Sequence, residues 1–321
     1  HNIMGKNLPA KKYKVGNRTE RFLHYELAHT AGGSNDNDSH FIDLAAGLSA
    51  VNKRAYRQGL YYYIKSISVV ETTRETKVQF GTAPDVWQVP QAWKMGFRTW
   101  SKMNSIAAQN IPGGDLSIAG AYHDFKIYLN NNHRTEGDVT VPTNGPASMD
   151  GTPHHNVTDW DYAVLHTMDP NSHSAPSDDF KVMLLGEHVG SDNAWASVSL
   201  MESYVNSKRK IVASPELLEE DMESDPLINL FDISDTADDV IEDLQDFNDD
   251  APYDADGIYS DTIMRAQTFI TPANGNAMLA GFCVPFGLLE VLTNCTADNT
   301  VKILVELAPG PYHGVYAERI V

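Results

Sequence analysis

The chain is poor in cysteine and has no long apolar run. Its 321 residues include two cysteines, Cys283 and Cys295, which is too few for the disulfide framework of a small secreted domain. The sequence contains no stretch of about 20 apolar residues, so we expect no membrane-spanning helix and no membrane partner. We expect both thiols to be free and buried, in a reducing compartment.

The sequence also lacks the short motifs of common enzymes. It has no glycine-rich phosphate loop and no Gly-x-Ser-x-Gly elbow. Five metal-capable residues lie close together, but without the i, i+4 histidine spacing and the glutamate of zinc proteases; they are His154, His155, Asp159, Asp161 and His166. We therefore predict that the protein is not an enzyme and holds no catalytic residue, metal ion or cofactor.

A second candidate metal motif is Asp254-x-Asp256-Gly257. If Gly257 takes the sixth position of an EF-hand loop, Pro252 and Ile263 fall where carboxylates are required, which excludes that site. A calcium ion shared between subunits stays open as an alternative.

Basic residues are scarce and unevenly distributed. The chain has 24 Lys and Arg against 43 Asp and Glu, for a net charge of −19. Residues 1–110 hold 15 basic and 8 acidic residues, a balance of +7, whereas the remainder holds 9 and 35, a balance of −26. A partner with phosphates is therefore expected at the first third, whereas the acidic remainder argues against a protein that coats DNA on all its faces.

Two basic groups lie in that first third. Residues 1–21 contain few apolar side chains and predict an extended arm that contacts a nucleic-acid backbone through charge; its cations are Lys6, Lys11, Lys12, Lys14, Arg18 and Arg21. A second group, Lys53, Arg54 and Arg57, follows a candidate strand and predicts a nucleic-acid-binding patch on an inner face. The alternatives are an ordinary solvated terminus and scattered surface charge. Because the chain begins with His1, we also expect a further Arg/Lys-rich segment upstream.

Hydrophobic periodicity predicts mostly β-structure. Residues 301–307 alternate apolar and polar side chains, the period of a half-buried strand, and residues 60–70 are rich in β-branched and aromatic residues. Residues 22–29, 115–129 and 262–271 are further candidate strands, and residues 40–51 fit either a strand or a short helix. Short turns between such strands favour a sandwich or a barrel.

Two helices and two polar excursions are expected between the strands. Residues 91–109 repeat apolar side chains at helical spacing, which favours core packing over a base-stacking platform. A helix over 194–207 is expected to begin at Asp192 or Asn193 as its cap. The excursions are residues 130–158 and residues 214–261; the second contains 18 acidic and no basic residues and is expected at an outer surface or a subunit contact.

Three stretches together resemble a known family. The first is Phe41-Ile42-Asp43-Leu44 with Val51-Asn52-Lys53-Arg54 and Tyr56-Arg57-Gln58-Gly59. The second lies in residues 87–104, with Ala92-Trp93 and Gly96-Phe97. The third is the Gly-Phe-x-x-Pro-x-Gly-Leu-Leu pattern at 281–289, followed by Ala-Pro-Gly-Pro-Tyr-x-Gly-Val at 308–315. This set is similar to capsid proteins of small circular single-stranded DNA viruses, most of all those of bacilladnaviruses, whose jelly roll is related to that of nodaviruses.

The resemblance implies an all-β fold with a single eight-stranded antiparallel jelly roll, interrupted by helices and long loops. Residues 1–21 would be the basic arm and residues 22–321 the shell domain. The implied function is a capsid protein that assembles with many copies of itself into an icosahedral shell around single-stranded DNA. Assembly would occur inside the host cell, with the nucleus as a candidate compartment, and the protein would reside in the virion. The alternatives are a jelly-roll binding module, such as a lectin-like or attachment protein, and a metal-binding jelly-roll enzyme.

Overall fold

The computed structural model describes residues 19–31, 37–109, 124–136, 139–145, 160–167, 178–190, 195–209 and 262–320. The strands in these residues are β1 (Phe22–His29), β2 (Asn37–Asp43), β3 (Leu60–Val70), β4 (Thr76–Thr82), β5 (Val164–Thr167), β6 (Asp178–Met183), β7 (Ser197–Ser199), β8 (Ile263–Ile270), β9 (Asn276–Ala280), β10 (Cys283–Val284), β11 (Leu288–Asn294), β12 (Asn299–Leu307), β13 (Pro309–Gly310), β14 (Gly314–Val315) and β15 (Ala317–Arg319). The helices are α1 (Leu44–Asn52), α2 (Gln88–Gln109), α3 (Asn131–Glu136) and α4 (Leu200–Arg209), with a 3₁₀ turn at Pro285–Gly287.

Two antiparallel sheets face each other. The first has the order β1-β12-β3, and β3 also pairs with β9, β10 and β15. The second has the order β2-β11-β4-β8. The main hydrophobic cluster draws buried side chains from both sheets, such as Ile67 and Val305 from the first and Val78 and Val291 from the second. The fold is therefore mostly β, with the arrangement of an all-β sandwich.

The alternation seen in the sequence explains which faces are buried. Val301, Ile303, Val305 and Leu307 of β12 are at most 2% exposed, and the residues between them point outward. β1 pairs with β12 along its whole length and alternates in the same way. The strands predicted at 22–29, 60–70, 262–271 and 301–307 are confirmed.

Residues 40–51 contain both of the structures that the periodicity allowed. β2 ends at Asp43, whose Oδ1 accepts hydrogen bonds from the backbone N–H groups of Ala45 (2.9 Å) and Ala46 (3.1 Å) and so begins α1. The helix ends at Asn52, and the next residue, Lys53, adopts a left-handed φ of 51°. The expectation that Lys53 and the cations after it follow a strand is therefore wrong: they follow a helix.

A second layer lies in the connection between β4 and β8. Helices α2 and α4 and the small sheet β5-β6-β7 surround a second cluster of buried side chains, which continues into the sandwich through Phe41 and Phe286. Gly96 lets the two helices approach closely, since a Cβ there would lie 2.6 Å from Leu200. In the described part of residues 22–321, which the sequence predicts to form one domain, this layer packs on the sandwich.

Two local predictions in this layer are wrong. The helix expected over 194–207 begins only at Leu200, because Ser197–Ser199 is extended and pairs in parallel with β6; the proposed caps Asp192 and Asn193 lie outside the described residues. Of the strand predicted over residues 115–129, residues 115–123 lie outside the described residues, and residues 124–129 form only a single bridge, between Tyr128 and Met183. Pairing with β6 overrides the helical pattern at Ser197–Ser199, and at Ile127 the side chain of Gln58 takes both backbone polar groups.

The described part of the 130–158 excursion is packed against the sandwich. His133 of α3 is buried and stacks on Phe41 of β2, with ring centroids 4.7 Å apart. Its Nδ1 accepts a hydrogen bond from the backbone N–H of Leu129 at 3.0 Å, and its Nε2 lies 3.2 Å from the hydroxyl of Tyr162. Burial lowers the pKa of His133 to about 3, so the ring is neutral and holds α3 to the sheet.

We expect His133→Phe to flatten the acid limb of the stability curve. The folded-state pKa lies below the unfolded value of 6.5, so the contribution of His133 is complete above that pH and is lost as pH falls, by at most about 1.4 kcal/mol per pH unit. Phenylalanine keeps the stacking but does not titrate. Urea unfolding at a series of pH values measures the slope. His24→Phe, at an exposed position of β1, is the control; equal slopes for His133→Phe and the wild type would contradict this role.

Candidate nucleic-acid interface

The first described residues are held beside the end of α1. The side chain of Asn52 makes two hydrogen bonds with the backbone of Glu20. It accepts from the N–H at 2.8 Å and donates to the carbonyl at 3.0 Å. The hydroxyl of Thr19 donates to the carbonyl of His313 at 2.7 Å. Residues 1–18 are thus joined to the fold at a fixed point, between α1 and the turn that contains His313.

Four of the predicted cations lie around this point. Arg54 Nη1 is 3.5 Å from the hydroxyl of Thr19, and Arg21 Nη1 donates to the carbonyl of Leu307 at 3.3 Å. Lys53 and Arg57 are exposed on the turn after α1. The other five predicted binding residues, Lys6, Lys11, Lys12, Lys14 and Arg18, lie outside the described residues, as does the acidic excursion at 214–261.

Sequence reasoning missed Arg319, an exposed cation near the chain end. It lies on β15, which pairs with the start of β3, and Arg319 itself is opposite Leu60. That register places Arg319 beside the turn that carries Arg57, although 262 positions separate the two in the chain. The signal available in the sequence was its position a few residues after the Pro-Tyr-x-Gly-Val motif.

The backbone of Arg57 is held at both of its polar groups. Its N–H donates to the hydroxyl of Tyr312 at 3.0 Å, and its carbonyl accepts from the hydroxyl of Tyr62 at 2.7 Å. Its Nε lies 3.3 Å from Asp124 Oδ2, in a pair where the arginine side chain is 73% exposed. Such an exposed pair adds little stability, and it leaves most of the arginine side chain open to solvent.

The buried side chain of Gln58 holds the same turn through hydrogen bonds in the protein interior. Its amide nitrogen donates to Asp43 Oδ2 (2.9 Å) and to the carbonyl of Ile127 (3.1 Å), and its amide oxygen accepts from the N–H of Ile127 at 2.6 Å. Asp43 Oδ2 also accepts from the indole of Trp160 at 2.9 Å. Burial raises the pKa of Asp43 to about 6, against these hydrogen bonds, which favour the carboxylate. The buried network joins α1, the basic turn and the second layer.

A groove of about 530 Å³ opens beside this turn, with Arg57, Arg319 and Tyr312 among its lining residues. Its apolar wall includes Trp93 and Phe97 of α2, which stack with centroids 5.2 Å apart. Gly59, with a φ of +84°, packs directly against the indole ring of Trp93, where a Cβ would clash with the ring. The expectation that the α2 aromatics pack as core holds for Trp100, but Phe97 is 37% exposed.

The groove suits a ligand that combines a negative charge with a flat apolar part.

Among the described residues, no group of three or more His, Cys, Asp or Glu side chains could hold a metal ion. None of the described helices has the length and apolarity needed to cross a membrane. Both cysteines are free, with Cys295 buried and Cys283 half-buried.

No family model, curated protein or solved structure matches the chain.

We expect Gln58→Leu to loosen the basic turn and destabilise the fold by roughly 2–4 kcal/mol, because both backbone polar groups of Ile127 lose their partner inside the protein. Gln267→Leu, the same change at an exposed position of β8, should alter the free energy of unfolding by less than about 0.5 kcal/mol. Urea unfolding measures both. Equal effects of the two variants would show that Gln58 does not hold the second layer to the sandwich.

Proposed function

We propose that this chain is a viral coat protein with a jelly-roll core. In this proposal many copies assemble into an icosahedral shell that encloses single-stranded DNA. The proposal includes localisation in the virion and assembly inside the host cell. It assigns the contact with DNA to the basic arm and to the cations around its point of attachment, and no enzyme activity to the chain.

The strand order is the observation that carries the proposal. Leaving aside the short strands β10 and β15, the two facing sheets contain eight strands. Numbered one to eight along the chain, the first pairs with the eighth, the second with the seventh, the third with the sixth and the fourth with the fifth. A long hairpin of four strand pairs, wrapped into two sheets, is the order expected of a jelly roll, a fold that viral capsid domains share with lectin domains and cupins. This strand order therefore supports the proposal.

The placement of positive charge supports the DNA-packaging part of the proposal. Arg54, Arg57 and Arg319 lie near the point where residues 1–18 join the fold, so the cations of that segment and those of the fold would act on one strand. Contacts of this kind bind phosphate without reading sequence. A protein that encloses its own genome needs such binding.

A jelly-roll binding module is the second candidate. The observation that favours it is the groove beside Arg57, because ligand sites are concave and combine aromatic walls with a few polar groups. A lectin-like or attachment protein would use the groove for a small molecule or a glycan and would remain a small oligomer.

Expression of the chain followed by negative-stain microscopy separates the two candidates. The coat-protein proposal expects uniform closed particles whose ratio of absorbance at 260 and 280 nm indicates enclosed nucleic acid. Discrete monomers or trimers, under all conditions of salt and pH tried, would refute the shell and favour the binding module.

We expect the triple variant Lys53→Ala, Arg54→Ala, Arg57→Ala to form particles that contain less nucleic acid. Exposed substitutions of this kind usually cost less than about 0.5 kcal/mol each, so the fold should persist. Each lost phosphate contact should also reduce the salt slope of DNA binding by about 0.7 for a single strand. The absorbance ratio of purified particles is the measurement.

A charge-matched control removes Arg74, Lys77 and Lys302, which lie around the other end of β3. Particles of this control should retain their nucleic acid. An unchanged ratio in the first variant would show that its cations do not face the genome. A failure of that variant alone to assemble would instead place its cations at a subunit contact.

A further inference from the structure

We propose that the groove beside Arg57 holds an unpaired base of single-stranded nucleic acid, with the neighbouring phosphates on Arg57 and Arg319. The inference deepens the proposed packaging function and rests on it for the identity of the partner. It adds a contact with the base to the sequence-independent contact with phosphate.

The apolar wall of the groove is a preformed aromatic surface. Trp93 and Phe97 are nearly parallel, at 7°, and Phe125 meets both rings edge-on, with centroids 5.8 and 5.9 Å away. Phe97 remains 37% exposed although its neighbours in this cluster hold it in place. A large exposed aromatic ring that is fixed from behind is what base stacking requires, since every base has a π-face.

The other side of the groove is cationic, and the hydroxyls of Tyr312 and Tyr62 hold the backbone of Arg57 there. The ion pair with Asp124 uses Nε of Arg57, and its two terminal nitrogens make no hydrogen bond with any described residue. Arg319 and the exposed His313 also line the groove. Asp124 offsets part of the charge of Arg57, so the two arginines together are needed to leave this side positive.

The size and position of the groove fit the same ligand. Its volume of about 530 Å³ lies within the range of small-molecule sites, roughly 300–1,000 Å³. His313, which lines it, also accepts the hydrogen bond from Thr19 at the end of the basic arm. A strand drawn in by residues 1–18 would therefore reach the groove without crossing the rest of the surface.

The groove is formed by all three of the sequence stretches singled out above. Arg57 and Gly59 come from the turn after α1, Trp93 and Phe97 from α2, and Tyr312 from the Pro-Tyr-x-Gly-Val segment. Tyr312 contributes its hydroxyl to the backbone of Arg57 and so couples the last of these stretches to the first.

The test compares two labelled oligomers of equal length by fluorescence anisotropy with the full chain, namely oligothymidylate and an abasic deoxyribose-phosphate chain. We expect oligothymidylate to bind about tenfold more tightly, since stacking contributes on the order of 1–3 kcal/mol per base. Phe97→Leu should abolish that preference and leave the abasic affinity unchanged. Phe97→Tyr should restore it, which separates stacking from a loss of folding.

Two further variants complete the design. Phe269→Leu removes an exposed phenylalanine on β8, outside the groove, and should not change either affinity. Arg57→Gln and Arg319→Gln should each weaken both oligomers to the same extent. This pattern would assign the arginines to phosphate and Phe97 to the base.

Equal affinities of the wild type for the two oligomers would overturn the base site and leave the coat-protein proposal intact, provided that particles still contain nucleic acid. A preference that survives in Phe97→Leu would also overturn the base site. Failure to bind either oligomer would remove both the base site and the packaging role. Closed particles without nucleic acid would then show that only the shell part of the proposal survives.

Discussion

The pairing of the two ends of the chain is the constraint on which the rest of the structure depends. β12 lies between β1 and β3, with Leu23 of β1 opposite Val305 of β12. Without this last long strand, β1 would have no partner in the first sheet. The same pairing brings the Tyr312 segment and Arg319 to the turn after α1. Because these contacts join residues far apart in sequence, the core and the candidate interface depend on the same long-range strand pairing.

Polar contacts, rather than apolar ones alone, join the two layers of the molecule. Gln58 connects the carboxylate of Asp43, at the start of α1, with the backbone of Ile127 in the second layer. Each buried group in this network has a partner, which is the condition under which such groups add to the uniqueness of a fold. The turn that carries Arg57 is therefore held in place by the buried hydrogen bonds of its neighbour Gln58.

Alternation and helical spacing were sufficient to locate the main strands and α2, because these elements bury one face of a regular pattern. They were insufficient at Ser197–Ser199, where pairing with β6 extends residues that had the pattern of a helix. In the candidate interface, Lys53, Arg54 and Arg57 were found as a local cluster of charge. Arg319 was not, since only the register of β15 on β3 places it beside them.

The sequence by itself determined the class of fold, the burial of alternate residues in the strands, and the concentration of positive charge in the first third. These properties depend on residues that are close together in sequence. The regular period of a strand or a helix decides which of these residues share a face. The order of strands in the two sheets and the meeting of Phe97, Arg57 and Arg319 in one groove were decided only by the tertiary structure. The reason is physical: hydrophobicity specifies that a face is buried, whereas the partner that covers it depends on long-range pairing and on the register of each strand.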